Sequence, residues 1–127
     1  MNKICTSIEQ SNKLLSLGLD SSTADMCWCK EADGYDYIYS RTVAPSEERV
    51  AWSLSALLEL MPATISSIGG CYRLTIDKED NVYNILYDDI LLREAAILYA
   101  EYSLIDAAFE MVCWLIEQGY ISKQVRL

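Results

Sequence analysis

Cysteine, histidine and paired carboxylates are the residues that most often do chemistry, and this chain has five cysteines and no histidine. The missing histidine excludes imidazole bases, histidine-activated nucleophiles and metal sites with a histidine ligand. Cys27 and Cys29 are two residues apart, which places both thiols on one face of a strand. A thiolate zinc site would need Cys5, Cys71 or Cys113 as well, and the pair lacks the usual C-x-x-C turn. Buried core thiols are therefore the favoured interpretation, with a metal or redox site as the alternative.

A second group of reactive side chains lies on the last predicted helix. Asp106, Glu110 and Glu117 fall on one narrow row at about 100° per residue, which we call the carboxylate stripe. Cys113 shares this row, so an acidic site beside a thiol is one interpretation. Neighbouring carboxylates raise the pKa of a thiol and weaken it as a nucleophile. We therefore favour a solvated helix face.

The other carboxylates cluster in predicted turns, where water keeps them ionised. The segment 77–81 lacks the oxygen-ligand pattern of a calcium loop. The five glycines form no phosphate-binding motif. We predict no catalytic, cofactor-binding or metal-binding residue and no cofactor. The clustered acidic residues are Glu31, Asp33, Asp36, Glu47, Glu48, Asp77, Glu79, Asp80, Asp88 and Asp89.

Aromatic residues are the remaining candidates for a functional surface. Tyr35, Tyr37 and Tyr39 alternate along a predicted strand and so share one face, and Trp28 lies on the strand before it. Tryptophan and tyrosine are favoured at protein interfaces because they combine large contact area with a polar tip. Packing inside the sheet is the favoured interpretation, and a partner surface formed by these four residues is the alternative.

Length and charge restrict the class of protein. The 127 residues predict a single domain over 1–127. The net charge of −9 disfavours direct binding to nucleic acid or to an anionic membrane. The longest apolar run, residues 111–116, is far shorter than the ~20 residues of a membrane-spanning helix. With scattered cysteines and no signal-like N-terminus, we expect a cytoplasmic protein.

Helix start and stop signals position these candidates. Ser7 and Gln10 form a capping box for a helix over 8–17, which Gly18 ends. Ser53 begins a helix that must stop before Pro62. The last helix begins after Ser103 and ends at Gly119. Its wide apolar arc predicts that it packs across a sheet.

Strand signals complete the predicted fold. Residues 26–29 and 35–39 form a hairpin around Asp33-Gly34, and residues 71–76 and 82–87 form a second hairpin around a turn at 77–81. The segment 45–48 is a loop or a helix start. Residues 90–101 are compatible with either a helix or a strand. We predict an α+β fold, with a small, mainly antiparallel sheet, a long C-terminal helix packed across it and two shorter helices.

Four segments, residues 8–19, 23–26, 52–62 and 106–121, give the chain a family resemblance. Together they resemble a family of short uncharacterised proteins from gut Bacteroidetes and their phages and mobile elements. Members of that family often carry proline at the positions of Ser21 and Val50, and the segment 63–102 does not match. The resemblance implies a biological setting; it implies no activity and no catalytic residue.

Three classes of function are compatible with these observations. The favoured one is a non-enzymatic interaction protein, an accessory protein of a phage or mobile element that binds another protein or itself. One version is an acidic decoy that mimics nucleic acid. The alternatives are a small histidine-free enzyme that uses carboxylates or a thiolate, and a self-assembling structural subunit. A concave pocket holding acidic or thiol groups with perturbed pKa values would favour the enzyme.

Overall fold

The computed structural model describes residues 3–41, 49–67, 70–89, 91 and 94–123. Its helices are α1 (Ile8–Ser16), a 3-10 turn (Ser21–Thr23), α2 (Leu54–Leu60) and α3 (Leu104–Glu117). Its strands are β1 (Met26–Lys30), β2 (Asp36–Ser40), β3 (Arg49–Ala51), β4 (Thr64–Ser67), β5 (Gly70–Glu79), β6 (Val82–Asp89) and β7 (Ala95–Glu101). They form two antiparallel sheets, ordered β2-β1-β3 and β4-β5-β6-β7. The predicted α+β class is confirmed, with the strands divided between two sheets.

The predicted helix caps are confirmed. The Ser7 side chain accepts a hydrogen bond from the backbone N–H of Gln10, and the Gln10 side chain accepts one from the backbone N–H of Ser7. Gly18 follows α1 with a positive φ of 98°, a conformation that glycine adopts without steric cost. The Ser53 side chain caps α2, which ends at Leu60. Local side-chain chemistry therefore fixes where these helices begin and end.

Helix α3 packs on the four-stranded sheet and supplies the centre of the core, as predicted. Met111 and Leu115 on the helix and Ile85 and Tyr87 on β6 are fully buried in one apolar cluster. Burying such side chains contributes about 1.5–3 kcal/mol each. The Tyr87 hydroxyl donates to the backbone oxygen of Pro62, and burial raises the pKa of Tyr87 to about 12. The buried residues of α3 are Ile105, Ala107, Ala108, Met111, Val112, Cys113, Leu115 and Ile116.

The predicted hairpin of β1 and β2 is confirmed. The Asp33 carboxylate accepts a hydrogen bond from the backbone N–H of Tyr35 at 2.9 Å and so stabilises the connecting turn. On its other side β1 pairs with β3, a three-residue strand that the sequence did not predict. The predicted loop or helix start at 45–48 lies outside the described residues.

The second hairpin exists, but its predicted turn at 77–81 was too long. Strand β5 runs to Glu79 and β6 starts at Val82. Asn84 donates to the Asp77 carboxylate at 2.8 Å, and the Lys78 ammonium lies 4.8 Å from the ring centre of Tyr83. These cross-strand pairs continue the ladder through residues whose types favour a turn. A two-residue turn then suffices, since Asp80 adopts a positive φ of 53°.

Of the two edge strands of the larger sheet, β4 was not predicted, and β7 is one of the two conformations left open for residues 90–101. Strand β4 pairs with β5. Strand β7 pairs with β6, so the segment 95–101 is a strand and not a helix. Its residues alternate between half-buried positions, such as Ile97 and Tyr99, and exposed positions, such as Leu98 and Ala100. Packing against α3 and pairing with β6 thus decide between two conformations that local propensity leaves open.

Candidate functional site

A cleft of about 560 Å³ lies beside the N-terminus of α3. Two of its lining side chains, Ile4 and Tyr102, are 63% and 80% exposed. The segment before α1, the first residue of α2 and the ends of β6 and β7 meet here. The lining residues are Lys3, Ile4, Leu54, Tyr83, Glu101, Tyr102, Ser103, Leu104, Ile105 and Asp106.

Asp106, the first member of the carboxylate stripe, is held at the cleft by two donors. The Lys3 ammonium and the Gln10 side-chain amide each donate to its Oδ1 atom at 2.8 Å. The position in the first turn of α3 is favourable for a negative charge because the free N–H groups of a helix start carry partial positive charge. Asp106 thus ties α3 to α1 and to the N-terminal segment.

The stripe does not form the solvated helix face that we favoured. Glu110 is half-buried and shares a hydrogen bond with Glu101 at the end of β7. Desolvation, followed by this hydrogen bond and the nearby carboxylates, raises the pKa of Glu110 to about 7, against an opposing effect of Lys13 on α1. Only Glu117 on the stripe is exposed.

Cys113 and Tyr99 show where the stripe lies. Cys113 is buried, and desolvation raises its pKa to about 11, with Lys13 opposing the shift. The pKa of Tyr99 on β7 is raised by burial and then by the charges of Glu110 and Glu117. The stripe is therefore flanked by α1 on one side and by β7 on the other. Helical periodicity alone did not indicate these neighbours.

Strand β7 forms one edge of the four-stranded sheet. In the described part of the chain no strand pairs with its outer side. One face of β7, with Ile97, Tyr99 and Glu101, is turned toward α3; we call it the inner face. The opposite, outer face of the sheet carries Leu98 and Ala100 on β7 and Leu86, the partner of Leu98, on β6. This face also carries Asn84, the partner of Ala100, and Leu98 on it remains 47% exposed to solvent.

The structure separates the residues of the predicted partner surface. Tyr37 and Tyr39 pair with Cys29 and Cys27 and so lie on one face of the smaller sheet. Trp28 lies on the opposite face, and its indole N–H donates to the backbone oxygen of Thr6.

The three tyrosines differ in exposure. Tyr35 precedes β2 and is 71% exposed, while Tyr37 is 45% exposed and Tyr39 is half-buried. The Tyr37 hydroxyl donates to the Asp33 carboxylate at 2.6 Å, which raises the pKa of Tyr37 and lowers that of Asp33. The tyrosines thus form a patch without Trp28, and its role as a partner surface stays a prediction.

Four of the five cysteines are buried, and Cys71 is exposed. The Sγ atoms of Cys27 and Cys29 are 3.7 Å apart on one face of β1, as their spacing predicted. Burial, and to a lesser extent the charge of Asp25, raises the pKa of Cys5 to about 11. Among the described residues no three cysteine, aspartate or glutamate side chains are grouped to hold a metal ion.

Comparison with known protein families, curated proteins and solved structures found no match for this chain. In the described residues no helix is long and apolar enough to cross a membrane.

Sequence reasoning identified the stripe but missed the residues around it. Leu98 and Ala100 were not singled out because the segment 90–101 was left undecided between helix and strand. The short apolar run of β7, which contains Ile97 and Tyr99, is compatible with a strand but does not show which residues face outward. Lys3 and Tyr102 had no such signal, since each enters the site through the fold.

Proposed function

We propose that this chain is a non-enzymatic interaction protein that binds an extended segment of another protein by adding it as a strand to the outer side of β7. The observation that carries this proposal is the character of that edge. Strand β7 has seven residues, of which only Glu101 is charged, and it contains neither lysine nor proline. Such an edge offers a row of backbone donors and acceptors and is suited to pairing with another chain.

The other three edges of the two sheets are less suited to this role. Strand β3 has three residues and β4 has four. Strand β2 has five residues and begins with Asp36, which forms an ion pair with Arg49. Short and charged edges are the usual means by which proteins avoid unwanted pairing. A β-bulge also discourages pairing, and strand β7 has one at Ala96. This bulge leaves residues 97–101 as a regular ladder.

The biological setting of this proposal comes from the sequence. We place the protein in the cytoplasm, as an accessory protein of a phage or mobile element of gut Bacteroidetes, because four segments resemble that family. The net charge of −9 favours a protein partner over nucleic acid or membrane. In this setting the partner is a protein of the host cell or of the element itself.

Two variants with the same substitution test the proposal. Leu98→Lys places a charge on the open face at the β7 edge, whereas Leu91→Lys places the same charge on a 90% exposed leucine outside β7. Affinity capture from a lysate of the native host, followed by mass spectrometry, compares both with the wild type. We expect one stoichiometric partner to be retained by the wild type and by Leu91→Lys and lost by Leu98→Lys. A partner retained equally by all three baits, or none retained by any, contradicts strand addition at β7.

One observation favours a second candidate function, an acid–base enzyme. Glu101 lines the cleft and shares a hydrogen bond with Glu110, whose pKa of about 7 is suited to proton transfer at neutral pH. A thermal-shift screen of small metabolites and metal ions tests this function. A compound that stabilises the wild type but not Glu101→Gln would support it, and the control Glu59→Gln alters a carboxylate that does not line the cleft.

A further inference from the structure

A strand added to β7 would lie about 4.8 Å from it and would present its side chains alternately to the two faces of the sheet. Its outer-face side chains would therefore lie beside Leu98 and Ala100, and its inner-face side chains beside Tyr99 and Glu101. On β7 itself the outer face is uncharged, whereas the inner face carries Glu101 and lies beside the carboxylate stripe. The two faces of β7 therefore indicate which kinds of side chain should alternate along the added strand.

The outer-face positions favour small or β-branched apolar side chains. Leu98 pairs with Leu86 on the neighbouring strand, and the next outer-face residue on β7, Ala100, is small and exposed. A charged side chain here would find no opposite charge on β7 itself. An apolar side chain would cover Leu98, which is now 47% exposed. Cross-strand apolar pairs of this kind contribute roughly 0.2–1 kcal/mol each.

The inner-face positions favour cations. Four carboxyl groups lie on this side of β7: Glu101 at its end and, on α3, Asp106, Glu110 and Glu117. Lys13 is the cation that acts on Glu110, and the Lys3 ammonium is engaged with Asp106. Because Glu110 is half-buried, water and salt screen its charge less than they would screen that of a fully exposed carboxylate.

A second copy of this chain fits the edge less well than a basic segment does. An antiparallel copy of β7 would bring its own inner face to the same side of the sheet, because the two-fold axis is then perpendicular to the sheet. Its Glu101 and its own carboxylate stripe would approach those already present. Two chains of charge −9 would also repel each other over the whole surface.

We infer that the segment that pairs with β7 is a basic strand, in which lysine or arginine alternates with small apolar residues. The basic side chains lie beside Tyr99, Glu101 and the carboxylate stripe, and the apolar side chains lie beside Leu98 and Ala100. This inference rests on the proposed function, because it specifies the partner of the same edge. It excludes a second copy of the chain and any acidic segment as the occupant.

Three blocked peptides of the seven-residue length of β7 test the inference. The first alternates lysine with valine between terminal threonines. The second has glutamate in place of lysine, and the third has the composition of the first with its lysines and valines in separate blocks. Binding is measured by titration calorimetry, and the contact is located by NMR and by amide hydrogen exchange of the full chain.

We expect the alternating lysine peptide to bind best, by about tenfold over the block peptide, because only alternation sorts charge and apolar groups to separate faces. The glutamate peptide should not bind. The β7 amides should become protected, and binding should weaken as salt screens the carboxylates. Leu98→Lys should abolish binding, and Leu91→Lys should leave it unchanged. At about pH 8, where Glu110 is ionised, Glu110→Gln should weaken binding about threefold.

Several results would overturn the inference. Equal binding of the alternating and block peptides, or binding without protection of β7 amides, would show unspecific attraction to the acidic surface. No binding of any peptide, or a concentration-dependent dimer that Leu98→Lys abolishes, would contradict a basic partner. If a host partner is nevertheless captured in a Leu98-dependent manner, the proposed function stands and only the basic pattern is wrong. If capture does not depend on Leu98, the proposed function itself fails.

Discussion

Replacing Glu110 by glutamine tests whether the carboxyl pair of α3 and β7 is arranged as described. Glu110 shares a hydrogen bond with Glu101, and its pKa lies at about 7 instead of its ordinary value of 4.5. A glutamine of nearly the same shape can still donate to Glu101 and carries no charge at any pH. The variant therefore keeps the contact and removes the titration.

The pH dependence of folding stability follows from the direction of this shift. The folded chain holds the Glu110 proton more tightly than the unfolded chain does, so its contribution to stability is fully present below pH 4.5. This contribution decreases as the pH rises and is lost once it passes the folded value of about 7. An unscreened shift of this size would correspond to roughly 3 kcal/mol. Because the half-buried carboxyl retains contact with water, we expect about 1 kcal/mol.

Urea unfolding of the wild type and Glu110→Gln, followed by tryptophan fluorescence, measures the effect. At about pH 4 the two free energies of unfolding should agree, because Glu110 is then largely protonated in both the folded and the unfolded chain. At about pH 8 the variant should be the more stable by about 1 kcal/mol, since wild-type Glu110 is ionised. The matched control Glu117→Gln removes an exposed carboxylate of the same stripe and should show a smaller difference between the two pH values.

Two results would refute this reasoning. If Glu110→Gln is less stable than the wild type at the higher pH, the ionised carboxylate has a favourable partner that outweighs its carboxylate neighbours. If the difference between wild type and variant is the same at both pH values, Glu110 does not titrate in this range. Either result would also remove the observation that favours an acid–base enzyme.

Three further perturbations test the fold. Met111→Ala should lower the free energy of unfolding by about 2–5 kcal/mol, because it leaves a cavity at a fully buried position; urea unfolding measures it, and a loss below about 1 kcal/mol would contradict that packing. Ser103→Ala should lower the free energy of unfolding by about 1 kcal/mol, since the Ser103 hydroxyl accepts a hydrogen bond from the backbone N–H of Asp106. Its control is Ser22→Ala at an exposed position, where the backbone N–H stays bonded to Asp20. In a thiol titration with a chromogenic disulfide at neutral pH, the exposed Cys71 should react quickly. Cys5 and Cys113 are buried and have pKa values of about 11, so they should react only after unfolding. Fast reaction of more than one thiol in the folded chain would be inconsistent with this burial.

Elements that are defined by residues close to them in sequence could be predicted. The capping box of Ser7 and Gln10 and the cap at Ser103 lie within a few residues of the helices that they begin. The turn at Asp33 is stabilised by its own neighbour, Tyr35. Each of these interactions joins residues close in sequence, so the residue types and their spacing indicate them directly.

The elements defined by distant partners were not predictable. Strands β3 and β4 are three and four residues long, too short for a recognisable alternation, and exist because β1 and β5 pair with them. The hairpin ladder extends through Asp77 to Glu79 because partners such as Asn84 and Tyr83 lie opposite. The conformation of β7 was likewise decided by β6 and α3, since its residues suit either a helix or a strand.

The same division applies to the candidate site. The sequence by itself determined that the chain has no histidine chemistry, that it is acidic, and that Asp106, Glu110 and Glu117 share one side of a helix. Only the tertiary structure decided what that side faces, because helical periodicity fixes directions around one axis and not the neighbours in those directions. Packing placed α1 and β7 beside the stripe, buried Cys113 and brought Glu101 to Glu110. The carboxylate stripe of α3 therefore lies beside the inner face of the edge strand β7.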